Sequence, residues 1–223
     1  MTPAPWPCPL PGGIAEEYAL AFDSDRERRL LVVPALFDEA NRMRRLTVEV
    51  MRRLDQAGID SFLPDLPGCN ESLQPLAQQT PESWRAAMED AAGHFAATHV
   101  FTIRGGALVA PADLPAWHYA PIKGAAILRQ QIRARIVTAR EAGLAETQYG
   151  IMAEALASGV ELSGHRLGAE FVRQFQDLVP VPGAQEIAQN AVGGGGLWLR
   201  AEPGEDRAQA DALAAVLAIG IRA

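Results

Sequence analysis

The 223-residue sequence predicts an α/β protein whose mostly parallel sheet is flanked by helices. Three observations carry this. Short apolar runs alternate with helical stretches three times in the first half. Close β-α-β connections of that kind require parallel strands with right-handed crossovers. Third, the run His99-Val100-Phe101-Thr102-Ile103 is followed at once by Arg104-Gly105-Gly106-Ala107, which reads as strand, sharp turn and small-residue helix.

Taken in order, Met1 to about residue 15 is a proline-rich amino-terminal segment, with no basic start or apolar core of a signal peptide. Residues 16–223 read as one domain. Tyr18–Phe22 is a short first strand. Leu30–Val33, closed by Pro34, is a continuous apolar run of the kind buried on both faces of a parallel sheet. From Glu39 to Ala57 the positions Met43, Leu46, Val50, Met51 and Leu54 recur at three to four residue steps, and Gly58 stops that helix. Ile59–Leu63 is the next strand, and Pro81-Glu82 opens a helix to about Ala97 with Trp84, Met88 and Phe95 facing inward. Ser83 falls in its first turn, where small polar residues are favoured.

The second half is less regular. Trp117–Tyr119 is strand-like, and helices are expected over 122–140, 146–157, 166–178 and 206–217. Val160–Leu162 reads as a short edge strand, Gly193–Gly196 as a flexible loop and Leu197–Leu199 as a last strand. Residues 122–178 are therefore a candidate helical cap. Arg129, Arg133 and Arg140 share a face of its first helix, which is a solvated basic face, a cap surface or a docking surface.

Composition limits the function. A formal charge of −7 argues against a general nucleic-acid binder. No apolar run approaches the roughly 20 residues of a membrane span. Cys8 and Cys69 lie far apart with no metal-type spacing, so reduced thiols, a cytoplasmic location and no metal or cofactor are expected.

Ligands in such sheets sit beyond the carboxyl ends of the strands. The loops after Val33, Leu63, Ile103 and Tyr119 therefore form the prospective site. The turn at Thr102-Ile103-Arg104-Gly105-Gly106 has the frame of a G-x-S-x-G nucleophile elbow, with arginine at the tip where a nucleophile would stand. A guanidinium stays protonated and cannot attack a carbonyl.

Leu31-Val32-Val33-Pro34 with Glu39-Ala40-Asn41-Arg42, then Leu63-Pro64-Asp65-Leu66-Pro67-Gly68-Cys69-Asn70-Glu71-Ser72, then the elbow, resembles the amino half of an α/β-hydrolase. More narrowly the chain resembles the second type of exosortase A system-associated hydrolases. That likeness extends through Pro121–Gly124, the Leu128–Arg135 helix, Val160–Gly164 and the tail around Trp198. The resemblance implies a place in exopolysaccharide production and protein sorting, with a protein of that system as partner; the elbow residues themselves point to an anionic small molecule as the other candidate partner. It names no substrate and no oligomeric state.

The departures bear on chemistry. The fold's catalytic order is nucleophile, acid, then a late histidine. Past the elbow stand only His118, within a strand-like run, and His165, at the start of an expected helix, while Asp177 reads as a solvated helix-end carboxylate. Cys69 and Ser72 are weak nucleophile candidates in the loop after the third strand, read most simply as turn residues. Arg104, with the Gly105 and Gly106 amides and the loop at Ala35 and Leu36, could hold an anion. Alternatively Arg104 pairs with Asp65 or another internal carboxylate and closes the site, as buried charges need partners. Two functions follow: a binding protein on this fold, or an atypical hydrolase of an ester, thioester or other acyl bond.

Overall fold

A computed structural model describes residues 1–10 and 13–223. Pro11 and Gly12 of the proline-rich segment lie outside the described residues. In chain order the elements are β1 (Thr2–Pro3), β2 (Trp6–Leu10), β3 (Gly13–Glu17), β4 (Ala19–Phe22), β5 (Arg29–Val33) and α1 (Asp38–Gln56). They continue with β6 (Asp60–Pro64), α2 (Pro81–His94), β7 (His99–Ile103), β8 (Ala116–Tyr119), α3 (Gly124–Glu141) and α4 (Gln148–Ser158). The chain closes with β9 (Val160–Leu162), β10 (His165–Leu167), α5 (Ala169–Phe175), β11 (Gln185–Ile187), α6 (Gln189–Val192) and α7 (Arg207–Arg222).

The main sheet has the order β1-β4-β6-β5-β7-β8-β11. β6, β5, β7, β8 and β11 run parallel, and β4 enters antiparallel to β6. Register fixes where these strands finish. Val33 lies beside Thr102, Ile103 beside Tyr119, and Tyr119 beside Ile187. Arg104, Ala120 and Ala188 therefore leave the sheet along one edge, next to the loop after Val33.

Alternation along the strands divides the core. Leu30, Val32, Phe101 and Ile103 face α1 and α7, whereas Leu31, Val33 and Val100 face α2, α3 and α5. All five apolar positions of the predicted first helix are buried, as are Trp84, Met88 and Phe95. Gly58, at φ 78°, supplies the left-handed residue that ends α1. Pro81 sits in the first turn of α2, and Thr80 and Ser83 form a reciprocal capping box: each hydroxyl accepts the other's amide at 3.0 Å.

Several sequence expectations are corrected. Leu197–Leu199 forms a 3₁₀ turn and not a strand: Leu197 and Trp198 are buried, with Trp198 over Arg104, while Leu199 points to solvent. The parallel strand on that side is the short, polar β11, which carried no apolar signal. Val160–Leu162 is a strand, but it pairs with β10 in a separate two-stranded sheet. His165 opens β10 and no helix; α5 starts only at Ala169, after Gly168. The turn after the elbow is a 3₁₀ helix over Arg104–Leu108. Gly193–Gly196 is tied down, its carbonyls accepting from Gln189 at Gly193 (2.9 Å) and from Gln209 at Gly195 (2.8 Å). The proline-rich segment, read without strands, contains β1 and the β2–β3 hairpin, whose Trp6 and Cys8 point inward while Pro7 and Pro9 point out.

Candidate functional site

The turn after β7 keeps the backbone of a nucleophile elbow. Arg104 has φ 54°, a strained conformation for a residue with a side chain. The close approach behind it depends on glycine. A Cβ on Gly106 would lie 2.4 Å from the Pro34 carbonyl oxygen, and one on Gly105 would lie 2.8 Å from Ile127 Cδ1 and 3.0 Å from Leu36 Cγ. The elbow and the loop after β5 are thus pressed together, and Ala35 and Leu36 are buried.

The tip is filled from within. Arg104 Nε donates to Glu39 Oε2 at 3.1 Å and Nη2 to Glu39 Oε1 at 3.2 Å, a two-pronged fork. Its Nη1 donates to the Ala120 carbonyl at 2.8 Å. The guanidinium carbon sits 4.1 Å from the centre of the Trp198 ring. Side-chain exposure is 10% for Arg104 and 8% for Glu39. Trp198 is held in turn, edge-on to Tyr119 at 6.0 Å and with its carbonyl accepting from Arg42 at 3.1 Å.

Asp65 is not the partner of Arg104. It is buried in the loop after β6, accepting from Asn70 Nδ2 at 2.8 Å and the Glu71 amide at 3.3 Å, with Arg44 at 3.8 Å. Burial raises its pKa above the ordinary carboxylate value. Ser72 is a turn residue: its hydroxyl accepts from the Gly68 and Gln74 amides and donates to Glu17 Oε1 at 2.8 Å. Burial pushes the Cys69 thiol up to about 12, with the Asp65 and Glu17 charges adding to the effect. Such a thiol is a poor nucleophile. His118 is locked inside the sheet. Its Nε2 donates to the Val181 carbonyl at 2.9 Å, since a carbonyl only accepts, and Nδ1 meets the Thr102 hydroxyl at 2.8 Å. His165 lies with Nε2 3.4 Å from Asp38 Oδ1 and its ring 5.3 Å from that of Phe37.

The structure thus brings Arg104, Gly105, Gly106, Ala35 and Leu36 together. It puts Asp65, Cys69 and Ser72 in a neighbouring turn, and His118 one strand away in the core. Glu39, Trp198 and Ala120 were missed. The signal for Glu39 was present as a carboxylate in the first turn of the helix after Val33, but nothing local ties it to a residue 65 positions later.

Glu17 carries a pH prediction. It is buried, and desolvation holds its pKa above the usual value. A raised native pKa means the charged form costs stability at neutral pH, and the cost fades as pH falls through the native pKa. Glu17→Gln is therefore expected to be more stable than wild type at pH 7, with the advantage shrinking on acidification. Urea melts across pH 4 to 8 measure it; an advantage independent of pH would contradict the assignment.

Comparison with solved structures gives the fold. Alpha/beta hydrolase domain-containing protein 10 from mouse superposes with a TM-score of 0.58 at 11% identity, over 100% of this chain and 99% of that one. DcsB in complex with its substrate analogue gives 0.57 at 11% identity, over 99% and 98%. A candidate hydrolase from Agrobacterium vitis S4 gives 0.51 at 12% identity, over 78% and 71%. No family model matches the sequence, and no curated protein matches it. The fold is that of the α/β-hydrolases. Among the described residues no helix is long and apolar enough to cross a membrane.

Proposed function

We propose that this α/β-hydrolase-fold chain is non-catalytic and acts by binding, as a cytoplasmic partner within an exosortase and exopolysaccharide system. The observation that carries the reading is the fork of Arg104 on Glu39 at the tip of the elbow. The place of a nucleophile is taken by a cation that is itself neutralised and covered by Trp198. The catalytic order of the fold calls for an acid after a later strand and a histidine before the last helix. Here those places hold Gln189, bonded to the Tyr119 hydroxyl, and the Gly193–Trp198 loop. Loss of triad members costs up to about a million-fold in rate. Glu39 already supplies the carboxylate that the fork would take, so we place ligand or partner binding away from the elbow tip. The segment 122–178, which we read as a cap and in which Arg129, Arg133 and Arg140 are exposed, offers one such surface. The link to that system rests on the sequence resemblance alone.

A second reading, an atypical acyl hydrolase, has one observation behind it. Cys69 and His165 line the same cavity of about 100 Å³. The raised thiol pKa counts against it.

The test is a fluorophosphonate probe together with chromogenic acyl esters and thioesters. Wild type is expected to stay unlabelled and to show no saturable turnover, and Arg104→Ser to remain unlabelled because His118, on the adjacent strand, is committed to Thr102 and the Val181 carbonyl. Saturable turnover by wild type that is lost in Cys69→Ala or Ser72→Ala would sink the binding reading. Affinity capture from a host with an intact exosortase system tests the partner.

A further inference from the structure

The outer face of α2 is acidic. Glu82 and Glu89, about two turns apart, share one line along it and Asp90 stands beside them, all exposed. Arg85, which could neutralise them from the same helix, turns inward: its Nη2 donates to the Leu108 carbonyl at 3.1 Å and its Nε is buried. On α3 the sign is reversed. Arg129, Arg133 and Arg140 lie within about 40° of one another around the helix, and all are exposed. Among the described residues none of these acids or arginines has an ion-pair partner, whereas other surface arginines do. Arg135 of the same helix pairs with Glu154 at 3.1 Å, Arg53 with Glu49 at 2.7 Å and Arg173 with Glu170 at 2.9 Å. Arg129 and Arg133, four residues apart, repel each other, which leaves the stripe open to a partner that relieves it.

We propose that the chain forms a symmetric dimer in which the acidic stripe of α2 in each copy lies along the basic stripe of α3 in the other. Both helices bury their inner faces in one core layer, Trp84 and Met88 from α2 with Leu128 and Ile132 from α3, so their outer faces look away from the same side of the sheet. A two-fold axis lying between them makes both contacts at once, and the assembly closes at two copies. Charge complementarity selects this occupant. A second copy brings each stripe its opposite, whereas a polyanion or an anionic surface would meet the α2 acids on the same side as the arginines. The acids span about 12 Å of α2 and the arginines about 16 Å of α3, so the stripes overlap over most of their length. Ala86 stands between the glutamates, and Gly93 has open space where a Cβ would be, so a partner helix can come close. Val137, 54% exposed, adds an apolar contact beside the arginines. Exposed ion pairs contribute little singly, which makes the dimer weak and sensitive to salt. The dimer stands apart from the non-catalytic reading: ester turnover would remove that reading and leave this interface untouched.

The experiment is sedimentation velocity on the full chain, over a concentration series at about 25 mM and about 500 mM salt. Wild type is expected to move from monomer to dimer with concentration at low salt and to stay monomeric at high salt. Two charge reversals follow. Arg129→Glu with Arg133→Glu, and separately Glu89→Lys with Asp90→Lys, should each weaken self-association about tenfold or more at low salt. All four positions are exposed, and bases late in α2 suit the helix dipole, so both variants keep the fold, as circular dichroism would verify. The decisive sample is the equimolar mixture of the two variants. One then carries acids on both helices and the other bases on both, so the mixture should dimerise where neither variant does alone. The proposal is overturned if wild type stays monomeric at low salt at every concentration. It is equally overturned by a dimer that survives either reversal, or by a mixture that stays monomeric.

Discussion

Glu39→Ala is expected to lower the unfolding free energy by about 3–5 kcal/mol, the cost of leaving one member of a buried ion pair uncompensated. Arg104 keeps the Ala120 carbonyl and the Trp198 ring, which places the loss toward the lower end of that range. Chemical denaturation at neutral pH measures it. The informative comparison is the double variant Glu39→Met with Arg104→Met, expected to be far more stable than Glu39→Ala, because apolar replacement of a whole buried pair is often neutral. A double variant as unstable as the single one would mean that the fork is incidental and that the loss comes from packing around α1.

Trp84→Ala should cost a further class of stability, about 3–5 kcal/mol, through the cavity it leaves. Trp84 is fully buried on α2, packs edge-on against Phe171 at 4.9 Å and near Phe37 at 5.9 Å, and donates from Nε1 to the Pro67 carbonyl at 2.9 Å. It therefore joins α2, α5, the loop after β5 and the loop after β6. Because Phe37 borders the cavities on both sides of its loop, the variant should also raise hydrogen exchange at residues 35–38 more than in α7. Calorimetry and exchange mass spectrometry read the two effects. A loss under about 1 kcal/mol would show that the aromatic cluster repacks without it.

The fold was legible where burial and local chemistry agree. The runs before Pro34 and Arg104 are buried on both faces, so their sequences are apolar but for Thr102, and Thr80-Pro81 and Gly58 punctuate helices by backbone rules that act within a few residues. Elements failed where those demands separate. In Trp6-Pro7-Cys8-Pro9-Leu10 the prolines point outward and fit an exposed strand, which hid a hairpin inside an apparently unstructured segment. Gln185–Ile187 joins the sheet with a single buried apolar side chain, Ile187, and a bond from Trp117 Nε1 to Gln185, too little for a periodic signal, while Leu197-Trp198-Leu199 has a strand's apolarity without its geometry. The site was half legible for the same reason. The elbow is a local motif and could be read; that Arg104 has an internal partner followed from the cost of burying a charge; that the partner is Glu39 and not Asp65 depends on how α1 leans over the strand ends, which no local pattern encodes.

The contact between Gly106 and the Pro34 carbonyl has a consequence for descent. The glycine behind the turn sets how closely strand and helix approach, whatever side chain stands at the tip, so the backbone can keep its place when the tip residue and its partners change together. An architecture of this kind outlasts the nucleophile it once carried. Relatives of this chain will be found by the small residues after the strand, whereas a search for the serine would pass over them.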